Sequence, residues 1–172
     1  MKERKPIIPQ NKIIYGLVFG IGLVFSVLYT LLGFSYLETS DLDGPSMLPT
    51  LQTGDEVLVA TNPSQKNQLH YGQLVKVKTR ERGSDSMVKR VIGLPGDHLT
   101  IEAGKVIRND QEIEEPYLND SEWVLEEPIE IVLKENEIYV MGDNRDDSTD
   151  SRQLGPINLD TQFEGIVLKK IN

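Results

Sequence analysis

Ser46 lies in Gly44-Pro45-Ser46-Met47-Leu48-Pro49-Thr50, where two prolines fix φ on either side of a hydroxyl. Gly44 adds a position open to conformations that other residues avoid. Such a turn can hold out the hydroxyl, with its own backbone N–H, to a substrate carbonyl. The second residue is Lys89, in Met87-Val88-Lys89-Arg90-Val91-Ile92. On a strand, Met87, Lys89 and Val91 share one face, and Val88, Arg90 and Ile92 the other. An amine between apolar neighbours is costly to keep charged, so its pKa falls. A neutral amine near neutral pH is what a general base requires. A serine activated by a lysine is one variant of the acyl-transfer machinery. Taken singly, each residue also has an ordinary reading: a plain turn, and an amphipathic lysine whose head reaches water.

Other chemistries find little material. There are no cysteines, which removes disulfides, thiolate metal sites and a thiol nucleophile. A Ser-His-Asp triad would need one of two histidines. His98 follows the turn Pro95-Gly96-Asp97, and His70 stands beside Tyr71 before another turn, both ordinary surface positions. No H-E-x-x-H is present. The cluster Asp143, Asp146, Asp147, Asp150 lacks the glycine and distal glutamate of a calcium loop. No metal or organic cofactor is implied. Ser86-Met87-Val88-Lys89 spells S-x-x-K, as in penicillin-binding proteins, but S-D-N and K-T-G companions are missing. On a strand Ser86 and Lys89 would also face opposite sides. A net charge of -9 argues against a nucleic-acid partner, because phosphate binding needs clustered cations.

The ordered set of segments carries more than any one of them. Ser46-Met47-Leu48-Pro49-Thr50-Leu51 is followed by Gly54-Asp55-Glu56-Val57-Leu58-Val59. Lys89-Arg90-Val91-Ile92-Gly93-Leu94-Pro95-Gly96-Asp97 comes next. The last is Gly142-Asp143-Asn144-Arg145-Asp146-Asp147-Ser148-Thr149-Asp150-Ser151-Arg152. In this order they strongly resemble the signature blocks of bacterial type I signal peptidases (leader peptidases), over nearly the whole chain. The interval of about fifty residues between Lys89 and Gly142 resembles the short single-span members typical of Gram-positive bacteria. The resemblance implies that Ser46 is the acylating nucleophile, Lys89 its general base, and Ser148 a hydrogen-bonding partner that aims the amine. It implies structural ion pairs for Asp143, Arg145, Asp150 and Arg152. Many relatives carry a serine two residues before the nucleophile; here that position is Gly44, so the oxyanion would rely on backbone donors, including the Ser46 N–H.

These residues need elements to position them, and the chain has two unlike parts. Residues 1–12 carry Lys2, Arg4, Lys5 and Lys12 against Glu3, a net +3, and residues 13–37 carry no charge. Residues 38–172 hold a net -12. Ile13 to Phe34 gives 22 uncharged residues, about 33 Å as a helix at ~1.5 Å per residue, matching a bilayer core of about 30 Å. The run is too long for a signal-peptide core, and no A-x-A follows it. The expectation is a cytoplasmic basic tail over 1–12, a transmembrane helix over 13–37 and an extracytoplasmic domain over 38–172, oriented by the positive flank. Gly16 and Gly20 spell G-x-x-x-G, but glycine is common in such helices.

Beyond Asp43 the chain reads as mostly β. Short Val- and Ile-rich runs bounded by turn residues predict strands over Glu56–Ala60, Gln73–Lys78, Met87–Ile92 and His98–Glu102. Further strands are predicted over Lys105–Arg108, Ile129–Leu133, Glu137–Met141 and Phe163–Lys169. Asn62–Gln68 and Arg80–Ser86 read as exposed polar loops. The resemblance thus implies a transmembrane helix followed by a signal-peptidase-like β-sheet domain. It implies cleavage of exported preproteins after small residues of the Ala-x-Ala type, with membrane lipid as the other partner. Two rivals remain: a tethered β domain that binds peptides without cutting, and a self-cleaving serine–lysine repressor.

Overall fold

The computed structural model describes residues 10–34, 36–79, 85–118, 123–125 and 127–172. Lys2, Arg4 and Lys5 of the basic tail, and residues 80–84 of the polar loop Arg80–Ser86, lie outside them. The chain divides into two units, Met1–Tyr36 and Leu37–Asn172. The first contains α1, Gln10–Phe34, a 25-residue helix. Thr30 Oγ1 donates back to the Ser26 and Val27 carbonyls (both 2.9 Å), so its one hydroxyl is satisfied within the helix. Its described side chains from Ile14 to Tyr29 include Leu17, Phe19 and Phe25, all more than half exposed. Side chains are described continuously only over 14–30, and among the described residues no helix is long and apolar enough to cross a membrane.

The second unit is built on strands. A seven-stranded sheet has the order β1-β2-β11-β3-β4-β9-β10. Its members are β1 Leu37–Asp41, β2 Glu56–Ala60, β3 Leu74–Lys78, β4 Ser86–Gly93, β9 Glu137–Met141, β10 Ile157–Asn158 and β11 Phe163–Lys170. A four-stranded sheet, β7-β6-β5-β8, uses β5 His98–Glu102, β6 Lys105–Arg108, β7 Gln111–Glu112 and β8 Ile129–Val132. All the pairings are antiparallel. The β5–β6 hairpin turns on Ala103 and Gly104, both at positive φ, as a two-residue turn between twisted strands demands.

Alternation along β3 shows why the sheet has two faces. Val75 and Val77 are fully buried with Val91, Ile138, Val140 and Ile157, while Leu74 packs on the opposite side with Val57, Val59 and Val88. Val88 to Gly93 of β4 are all buried, so this strand has cover on both faces. A third cluster, around Ile92, Leu99, Ile101, Trp123 and Tyr139, joins the smaller sheet to the larger. Asn62–Gln68, read as a loop, instead contains a 3₁₀ turn over Pro63–Gln68 that Asn62 caps, its side chain accepting from the Ser64 N–H. A short helix, α2, spans Ser151–Leu154.

Candidate active site

The turn after β1 holds Ser46 by burying its neighbours. Met47 and Leu51 are 1% and 5% exposed and pack with Val57, Val59 and Val88. Full burial of a side chain like Met47 stabilises by roughly 1.5–3 kcal/mol, so the turn is pinned one residue from the hydroxyl. Leu48 N–H closes onto Pro45 O (3.0 Å) and Leu51 N–H onto Met47 O (2.9 Å). Gly44 adopts φ +95°, a conformation that any side chain would strain. The backbone conformation thus favours glycine at this position. Among the described residues the Ser46 N–H has no protein acceptor.

Lys89 reaches this turn from the middle of β4. It lies opposite Val75 in the β3–β4 register, with Met87 opposite Val77. Met87 and Val91 pack in the cluster of Val75 and Val77, and Val88 in the other, so the two faces divide as strand alternation predicts. Lys89 is only 3% exposed. Its Nζ stands 2.7 Å from Ser46 Oγ and 3.2 Å from Val88 O. Burial pulls its pKa down to about 8, with Asp150 and Asp143 opposing the shift and Arg152 adding to it. A sizeable fraction of the amine is therefore neutral near pH 8 and can take a proton from the hydroxyl beside it.

A family model described as signal peptidase, peptidase S26, matches residues 14–167. The chain belongs to that family. It is 32% identical over 150 residues to signal peptidase I U of Bacillus subtilis, an alignment covering 83% of this chain and 79% of the relative. It is 33% identical to the probable signal peptidase I-1 of Synechocystis, over 77% and 70% of the two chains. A crystal structure of a signal peptidase I from Enterococcus faecalis covers 57% of this chain and 95% of its own, with a TM-score of 0.49 and 22% identity. Membership makes the protein a serine endopeptidase that removes signal peptides from secretory preproteins.

The last signature block of this signal peptidase packs directly on the Ser46 turn. Asn144 N–H donates to Ser46 O (3.0 Å) and Asn144 Nδ2 to Pro45 O (3.3 Å). Gly142 is required by contact: a Cβ there would fall 2.2 Å from Ser148 Oγ and 2.5 Å from Ser46 O. Ser148 is thus beside the site, but its bond differs from the expected one. Its Oγ donates to Asp150 Oδ2 (2.8 Å), while the Lys89 amine bonds Ser46 and the Val88 carbonyl. The hydroxyl gives its one proton to a buried carboxylate, a strong charge-assisted acceptor. Asp150 also receives the Gly142 N–H (2.9 Å) and the Arg152 guanidinium (2.9 Å), and it caps α2.

Ion pairs run through the block, and Asp143 and Arg145 take partners outside it. Asp143 pairs with Arg90, whose Nε donates at 2.7 Å, and Thr50 Oγ1 donates to the same carboxylate. Arg145 pairs with Glu115 and donates Nε to Gly142 O (3.0 Å). Trp123 lies under both Arg145 and Arg152, its ring centroid 4.9 and 5.4 Å from the guanidinium carbons. Arg90 was findable: alternation buries it, and a buried guanidinium demands an acid. Nothing local in Glu115 or Trp123 announced their partners.

A cleft of about 120 Å³ opens beside the two residues, lined by 40–43, Ser46, Lys76 and 86–89. β9 pairs with β4 only from Arg90 onward. Within the described residues, 86–89 therefore leave one backbone edge unpaired next to Ser46 and Lys89.

Proposed function

We propose that this peptidase cuts preproteins with Ser46 as nucleophile and Lys89 as general base, and that α1 anchors it in a membrane. The 2.7 Å approach of a buried, pKa-lowered amine to the Ser46 hydroxyl carries the reading. A preprotein segment adds as an extended strand along the open edge of 86–89. Ser46 Oγ attacks the scissile carbonyl as its proton passes to Lys89 Nζ. The oxyanion forms against the Ser46 N–H. The C–N bond then breaks, Lys89 returns the proton to the leaving amine, and an ester to Ser46 remains. Lys89, neutral again, takes a proton from water as the water oxygen attacks the ester carbonyl; the C–O bond to Ser46 then breaks, Lys89 returns the proton to Ser46 Oγ, and the carboxylic acid product leaves.

Gly142, Asn144 and Asp143 hold the turn to the last block, and Ser148, Asp150, Arg145 and Arg152 hold that block in shape. The small cleft suits short side chains at the first and third residues before the cut, as in Ala-x-Ala. The anchor reading rests on the 25 residues of α1, about 37 Å at ~1.5 Å each, and on the uncharged run within it. The domains are then a cytoplasmic tail over 1–12, a single span over 13–37 and an outside peptidase over 38–172, with membrane lipid around the span. Incubating the purified full-length protein with a preprotein, and weighing the products, tests the reading. The expected product is one new N-terminus after a small-x-small sequence; no cut at such a site would refute it.

A further inference from the structure

The cleft beside Ser46 is not uniformly apolar. Lys76 and Val88 are partners in the β3–β4 register, so Lys76 shares the sheet face on which the Ser46 turn packs. Its side chain is 15% exposed and lines the cleft together with Ser40 and Ser86. Its amine bonds Glu38 Oε1 at 2.8 Å, across the sheet from β1. An ammonium carries three donors, and among the described residues Glu38 is the one partner. Two donors are left for whatever enters the cleft.

Resting on the function proposed above, we infer that Lys76 reads the third residue before the cut and favours a short neutral side chain with an acceptor oxygen: Ser, Thr or Asn. An extended chain presents alternate residues to one face at about 6.8 Å spacing. With the first residue before the cut at Ser46, the third enters the same cleft. Charge decides between neutral and acidic candidates. Glu38 already neutralises Lys76, and Asp41 and Asp43 line the cleft as exposed carboxylates. A substrate carboxylate would meet two like charges, whereas a hydroxyl or amide oxygen takes the free donors without that repulsion.

Threonine and valine have nearly the same shape, so they isolate the oxygen. Peptides differing only in Thr or Val at the third position are cut by the wild type and by Lys76→Met. The wild type is expected to prefer Thr in kcat/KM by about 3- to 10-fold, the worth of one hydrogen bond. Lys76→Met should bring the ratio close to one. Equal wild-type rates on the two peptides overturn the inference whether or not the variant folds, as does a Thr preference that survives in folded Lys76→Met. Ser46→Ala is the control that separates the two readings. If neither peptide is cut in a Ser46-dependent way, the proposed function fails and this inference with it; Ser46-dependent cutting without a Thr preference removes only the inference.

Discussion

Lys89 must lose a proton before it can accept one, and its burial sets where that happens. With its pKa lowered to about 8, the neutral form is scarce at pH 6 and dominant at pH 9. The cleavage rate should therefore rise through about pH 8 as a single ionisation and level off above it, well below the roughly 10.4 of a free lysine. Initial rates across pH 6–10 measure this; a profile bending near 6.5 that persists in Lys89→Ala would point to histidine instead. Lys89→Arg should be inactive, because a guanidinium remains protonated throughout that range. Gly142 gives a second prediction at this scale. Gly142→Ala drives a methyl against Ser148 Oγ and Ser46 O, and so moves the nucleophile. Its kcat should fall by on the order of 10²-fold, the usual result of misplacing a reacting group. Ser46 and Lys89 were candidates through a proline-framed turn and strand alternation, both local, and only the ordered set of segments raised them above their ordinary readings. The bond made by Ser148 was not legible in the sequence, since the spacing of Ser148 and Asp150 does not say which way the hydroxyl turns.

At the scale of elements, most of the strands were readable and the shortest were not. β2, β5, β6 and β9 begin and end where the short Val- and Ile-rich runs between turn residues do. β1 was missed because Leu-Glu-Thr-Ser-Asp carries almost no apolar pattern; its order comes from backbone pairing with β2. β7 and β10, at two residues each, have no period to read. α2 did leave a trace, since Asp150 and Gln153 stand at capping-box spacing, but four residues give no helical stripe. The segment after β7 matters most for the site. Its Glu115 is the carboxylate of Arg145, and the pair is 8% and 1% exposed. Glu115→Ala strands a guanidinium in the interior, which should cost about 3–5 kcal/mol in denaturant unfolding. A loss below about 1 kcal/mol would mean that water reaches Arg145.

For the whole molecule, composition separated a basic tail, an uncharged run over 13–37 and an acidic body; α1 takes up 13–34 of that run, and the run's last residue, Leu37, opens β1. The sequence could give that division because it is a change of residue type sustained over long stretches. It could not give the sheet order, in which β11 enters between β2 and β3, because such pairings join residues about a hundred positions apart. The anchor reading predicts that protease added to intact spheroplasts digests the domain over 38–172; digestion only after the membrane is broken would reverse the orientation. The central claim is that Ser46 attacks, Lys89 takes its proton, and the surrounding residues position the two. Preprotein processing by purified wild type and Ser46→Ala, with circular dichroism confirming the fold of each, tests it most directly. The account predicts cleavage at background level for a fully folded Ser46→Ala; folded Ser46→Ala cutting at the wild-type rate would contradict it.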